Sequence, residues 1–187
     1  MEIFEYLVLQ AKNGAGWKPE FGKSSKYKYW KAIFEPKPCA DCESNHGKIW
    51  LISEKIEKEP PLHPNCRCSI DILETIKSGT ATINVIDGAD WTLKYENSLP
   101  EYYITDDELL ELGWFYGDKV SKFAPNKMLT KQYNNSNGHL PMSDARIWYE
   151  ADINYAQGKR NGQRVLWSND GLVFVTFDHY VTFYEIV

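Results

Sequence analysis

The chain has 187 residues, 43% hydrophobic and 14% aromatic, enough for one or two small domains with buried cores and too rich in large rings for a disordered chain. Its formal net charge of −5 is uneven: residues 1–78 carry 12 Lys and Arg against 11 Asp and Glu, residues 79–187 carry 9 against 15. The acidic second part argues against whole-surface electrostatic binding of nucleic acid, and no run of about 18 apolar residues is present to span a membrane as a helix.

The opening "MEIFEYLVLQAK" has acidic flanks and no small-residue cleavage pattern, so it reads as an amphipathic helix rather than a signal peptide. The Gly-, Pro- and Lys-rich stretch 13–38 reads as irregular loop packed by aromatic rings. All four cysteines follow: Cys39 and Cys42 at CxxC spacing, then Cys66 and Cys68 at CxC spacing. Two such pairs can complete a tetrahedral Zn²⁺ site, with His46 and His63 as spare ligands. Disulfides, a redox CxxC and buried free thiols are the competing readings. "IDILETIKSG" is expected to be a short closing helix ending at Gly79. The cysteine-bearing part and the cysteine-free part suggest two domains, 1–78 and 79–187.

In the second part, Ile83, Ile86, Ala89 and Leu93 fall at helical spacing. "ITDDELLELGW" carries a capping box, with Thr105 as N-cap, Glu108 three residues on and Gly113 as the stop. From about residue 132 the period becomes that of strands, in "RIWYEADIN", "RVLWS", "LVFVTFD" and "VTFYEIV". Helices followed by an antiparallel meander is the α+β pattern.

The window 148–167, "WYEADINYAQGKRNGQRVLW", concentrates charge. Alternation puts Glu150, Asp152 and Asn154 on one strand face, with Arg160 and Arg164 across a turn. The plain alternative is a surface ladder of ion pairs, which stabilises little. The chemical reading is RNA cleavage without a metal: a base for the 2′-hydroxyl proton, an acid for the leaving 5′-oxygen, and cations for the charge that builds on phosphate. Glu150, His179, Arg160 and Arg164 are of these types, the arginines being suited to forked contact with phosphate.

"LPEYYIT…LGW", "WYEADINY" with its following arginine pair, and "TFDHYVTF" resemble the barnase-like bacterial ribonuclease family over roughly residues 83–187. The resemblance implies N-terminal helices packed on a twisted antiparallel sheet and endonucleolytic RNA cleavage through a 2′,3′-cyclic phosphate with no catalytic cofactor. It implies Glu150 as general base, His179 as general acid, Arg160 and Arg164 as phosphate ligands and Tyr180 as a cleft-lining contact. Asp152 then braces the arginines and Arg146 is structural. A barstar-like acidic inhibitor becomes the expected protein partner.

Two positions depart from the family. Asp106 stands where the family carries a phosphate-binding lysine, leaving Lys127 and Lys131 as substitutes. The base-reading loop aligns with "NNSNG", residues 134–138, so Asn134, Asn135 and Asn137 replace a set containing a glutamate. A carboxylate-free site loses a charge-assisted contact of about 1.5–3 kcal/mol, so relaxed base choice is expected. The string "C..C……GK.W…PPLHPNCRC" resembles the Cys-rich C-terminal part of phage minor head (head-morphogenesis) proteins. Together the two resemblances imply a delivered or secreted bacterial toxin acting in a cytoplasm. The rivals are an inactive ribonuclease fold used for binding, and a phage structural protein.

Overall fold

A computed structural model describes residues 17–84, 87–155 and 160–187. The helix expected over residues 1–12 and the position of Ile86 lie outside the described residues. Five short strands come first: β1 (Phe21–Gly22), β2 (Tyr27–Lys31), β3 (Ile49–Leu51), β4 (Ser69–Ile72) and β5 (Thr75–Ile76), with helix α1 (Ala40–Asn45) between β2 and β3. Then follow α2 (Ala89–Tyr95), β6 (Tyr103–Thr105), α3 (Asp106–Glu111), α4 (Val120–Phe123), β7 (Met128–Tyr133), β8 (Trp148–Asp152), β9 (Arg164–Ser168), β10 (Val173–Thr176) and β11 (Tyr184–Ile186). The class is α+β, as expected.

Three expectations are corrected. "IDILETIKSG" forms β4 and β5 rather than a helix. Its β-branched residues pair with distant strands, β4 with β2 and β5 with both β1 and β11, and that non-local pairing outweighs the helical spacing. The stretch taken as irregular loop contains β1 and β2, the latter the centre of a three-stranded antiparallel sheet ordered β3-β2-β4. The main sheet is mixed: eight strands ordered β1-β5-β11-β10-β9-β8-β7-β6, with β5–β11 and β6–β7 parallel.

The cysteine-bearing segment is therefore built into the same sheet as the rest. The central strands alternate between two cores. Val173 and Val175 face a cluster with Ala89 and Leu93 of α2, while Phe174 faces the other side, against Tyr27, Ile49 and Leu73. With both faces covered, β10 is apolar at three successive positions and wholly buried. A third cluster, Leu109, Trp114, Val120, Ala124 and Leu129, seats α3 and α4 against β7. The capping box of α3 is present in both directions: Glu108 N donates to Thr105 Oγ1 at 3.2 Å, and Thr105 N donates to Glu108 Oε2 at 2.8 Å.

Two buried polar side chains lock the entry to the second part. Asp90 is inaccessible and accepts from Gly79 N, Ala81 N and Thr82 Oγ1 at 2.7–2.9 Å, and burial raises its carboxyl above the ordinary range. Asn154, at φ +61°, accepts from Ile83 N and donates to Ala81 O and Gln163 Oε1. These bonds tie the end of β8 to the 79–83 turn. Among the described residues, no helix is long and apolar enough to cross a membrane.

Candidate active site

Glu150 and Asp152 share a face of β8, and both are buried, 3% and 1% exposed. Such burial excludes the surface-ladder reading, because a buried carboxylate needs partners. Asp152 has two. Arg160 donates from Nε to Oδ2 at 2.5 Å and from Nη2 to Oδ1 at 2.8 Å, a forked contact. Arg164, directly across on β9, brings Nε to 2.9 Å from Oδ1. That contact is an ion pair without an aligned hydrogen bond. Arg164 Nη1 also donates to Asn161 O and Gln163 O. The Arg164 side chain is only 5% exposed, whereas Arg160 keeps 28% open to solvent.

The carboxylate of Glu150 meets Tyr180 and Lys131. Tyr180 Oη donates to Oε2 at 2.7 Å, and Lys131 Nζ lies 3.5 Å from Oε1. Burial, then the neighbouring Glu150 charge, pushes the Tyr180 phenol well above its ordinary range, so it remains a donor. The Tyr180 ring stacks on Tyr133 at 5.3 Å and lies 4.8 Å from the His179 ring. Tyr180 thus links His179 to Glu150. His179 itself is exposed.

The loop after β10 holds this arrangement. His179 and Tyr180 are both left-handed, at φ +61° and +72°, a conformation that costs non-glycine residues about 1–2 kcal/mol each. Four local hydrogen bonds offset it. Thr176 Oγ1 donates to Asp178 Oδ1 and accepts from Tyr180 N, Thr182 N donates to Asp178 Oδ1, and His179 N donates to Gly162 O. Gly162 is required for close approach, since a Cβ there would stand 3.1 Å from His179 Cβ.

Beside Tyr133 opens a cleft of about 650 Å³, bounded by Asn134–Ser136, Met142, Arg146 and Trp148. Of the expected base-contacting residues, Asn134 lines it with no other assignment. Asn135 is occupied in shaping the loop: Oδ1 accepts from Leu140 N and Nδ2 donates to Leu140 O. Asn137 Oδ1 accepts from His139 N. Arg146 forks onto Asp170 and donates to Pro141 O, fixing the far wall. Lys127 turns to the Glu101 carbonyl, away from this cluster. The sequence reading did not single out Tyr133 or Gly162. Tyr133 lies on the same face of β7 as Lys131, two residues on, and that alternation was the available signal.

The four cysteines are free thiols that converge at one place. Cys42, Cys66 and Cys68 sulfurs lie within 4.8 Å of one another, as do donor atoms of Cys39, Cys42 and His63. Cys42 Sγ and Cys66 Sγ are 3.6 Å apart, close to the roughly 3.8 Å separation that a tetrahedral zinc–thiolate site requires. Backbone N–H groups hold the Cys66 thiol down to about 7 and lower Cys39, whereas burial raises Cys42. Donor type, number and spacing fit zinc. His46 is not in the cluster; its Nδ1 accepts from Ala32 N.

Two stretches of the chain match known families. Residues 7–71 match the family described as Phage Mu protein F like protein, and residues 88–187 match the ribonuclease family. A ribonuclease of Bacillus pumilus is 38% identical over 129 residues, covering 67% of this chain and 78% of the relative. A ribonuclease of Heyndrickxia coagulans is 41% identical over 109 residues, 57% of this chain and 99% of the relative. A ribonuclease of Bacillus intermedius is 41% identical over 109 residues, 57% of this chain and 67% of the relative. With its sheet, its Glu150–Tyr180 hydrogen bond and its arginine pair in the matched region, this chain belongs to the ribonuclease family.

Proposed function

We propose that the protein is an endoribonuclease that cleaves single-stranded RNA by transesterification to a 2′,3′-cyclic phosphate, followed by hydrolysis, with no catalytic metal. Glu150 takes the proton of the attacking 2′-hydroxyl, and His179 gives a proton to the departing 5′-oxygen. Arg160 and Arg164, held in place by Asp152, stabilise the charge on the phosphorane oxygens, and Tyr180 positions Glu150. The observation that carries this reading is the convergence of a buried carboxylate on β8, the guanidiniums of Arg164 on β9 and Arg160 in the turn before it, and a hydroxyl donor in the loop after β10, with an exposed imidazole one residue from that donor. RNA degradation by the unmutated chain, abolished in Glu150→Ala and His179→Ala, is the expected result. Undiminished cleavage by both variants rejects the assignment of roles.

Asn134 contributes a neutral group to the base site, with Asn135 and Asn137 holding the loop that carries it, so cleavage on mixed-sequence RNA is expected after more than one base. Strict cutting after a single base contradicts this. Cys39, Cys42, Cys66 and Cys68 would hold a structural Zn²⁺ whose role is to tie the CxC loop to α1. The match of residues 7–71 to the Phage Mu protein F like family supports two functional units, 1–78 and 79–187, with the second as the effector of a delivered toxin. A barstar-like acidic inhibitor would protect the producing cell by offering carboxylates to Arg160 and Arg164.

A further inference from the structure

Lys131 sits in the middle of β7, directly opposite Glu150. Its ammonium does two things at once: it lies 3.5 Å from Glu150 Oε1 and stands over the ring of Tyr116, 5.9 Å from the centroid. Tyr116 belongs to the turn after α3. Its hydroxyl donates to Asp106 Oδ2 at 2.8 Å, and its ring packs edge-on against buried Trp114 at 4.9 Å. A ring held at its tip and along its edge is oriented, yet Tyr116 remains 63% exposed. Core packing does not explain an ordered, solvent-facing aromatic beside a half-buried cation.

The geometry also gives a direction. Lys131 and Tyr133 share one face of β7. Tyr133 borders the cleft on one side of Glu150, and Lys131 leads to Tyr116 on the other. Lysine has three donors, and the contact to Glu150 occupies one direction. A cation next to an exposed ring is the combination used for single-stranded nucleic acid, in which phosphates take the charge and bases take the π-face.

We propose that Lys131 and Tyr116 form a second RNA subsite, in which the Lys131 ammonium contacts a backbone phosphate and the Tyr116 face stacks the nucleobase of the nucleotide on the side of Glu150 opposite the cleft. This rests on the endoribonuclease reading for the identity of the ligand, and not on its catalytic roles. Asp106 acts through Tyr116 as a positioning residue. The alternative, that Lys131 only neutralises Glu150, leaves Tyr116 without a role and predicts no dependence on substrate length.

The test is equilibrium binding, by fluorescence anisotropy, of a non-cleavable 2′-deoxy tetranucleotide and of a nucleoside 3′-monophosphate to the full chain at several salt concentrations. Tyr116→Ala is expected to weaken the tetranucleotide about tenfold, the effect of losing one base stack, and to leave the mononucleotide unchanged. Tyr116→Trp should restore the tetranucleotide. Lys131→Gln should lower the slope of log affinity against log salt by about 0.7, and Lys131→Arg should retain it. Equal tetranucleotide affinity in Tyr116→Ala and the unmutated chain, or an unchanged salt slope in a folded Lys131→Gln, overturns the subsite. If these binding changes appear but the ribose form of the tetranucleotide is not cut, the subsite stands and the ribonuclease roles fall.

Discussion

The hydroxyl of Tyr180 donates to Glu150 Oε2 at 2.7 Å, across a gap of thirty residues in sequence. The bond joins the loop that carries His179 to the strand that carries the buried carboxylate, so the two groups proposed as acid and base share one connecting side chain. Tyr180→Phe keeps the ring and its stack on Tyr133 and removes only the donor. A hydrogen bond to a charged group contributes about 1.5–3 kcal/mol. The variant is therefore expected to lose ten- to a hundredfold in kcat on an RNA substrate, as measured by steady-state kinetics, with a smaller change in KM.

Asp152 is the sole carboxylate, among the described residues, paired with Arg160 and Arg164. Removing one member of a buried charge cluster leaves the others uncompensated, which costs about 3–5 kcal/mol. Asp152→Ala should lower Tm by roughly 10 °C, on the scale of about 2–4 °C per kcal/mol for a chain of this size. Thermal unfolding followed by circular dichroism checks it.

The local features of this chain were legible from the sequence, and the non-local ones were not. The capping box at Thr105 and Glu108 is complete within four residues, so the reading located α3. The spacing of the cysteines identified a cluster, because each pair is local and only the joining of the two pairs needs the fold. The strand identity of Ser69–Ile72 and Thr75–Ile76 was hidden, since it depends on pairing with β2 and β11. The same holds for the contact between the two parts. Ile49 N donates to His139 O, and a Cβ on Gly47 would lie 3.5 Å from Val181 O. The cysteine-bearing segment thus touches both the loop beside the cleft and the loop that carries His179. Nothing in the composition of either segment encodes that meeting.

The cysteine cluster carries its own prediction. Purified under reducing conditions, the chain should contain about one zinc ion, measured by elemental analysis. Cys42→Ser should lower both the metal content and the thermal midpoint. Because Ile49 follows the helix bearing Cys42 and bonds the 134–140 loop, amide exchange in that loop should quicken in the variant. A metal-free protein with two disulfides refutes the zinc assignment.

Arg146 and Asp170 give a pH dependence of definite sign. The hydrogen bonds from Arg146 hold the Asp170 carboxyl down to about 2, below the ordinary value near 3.9. A depressed native pKa means that the unfolded chain binds the proton more readily. The stabilisation is therefore complete above about pH 4 and lost as pH falls through about 2. The Asp170 side chain is 46% exposed, so screening keeps the contribution to about 1 kcal/mol or less. Arg146→Gln should show a shallower fall of Tm between pH 4 and 2 than the unmutated chain, measured by calorimetry.

If Glu150 and His179 act on one phosphodiester as base and acid, phosphorus NMR of a dinucleotide during turnover should show a 2′,3′-cyclic phosphate accumulating before the 3′-phosphate, and neither product with Glu150→Gln or His179→Ala. Direct appearance of a 5′-phosphate, or normal cyclic-phosphate formation by both variants, contradicts those roles.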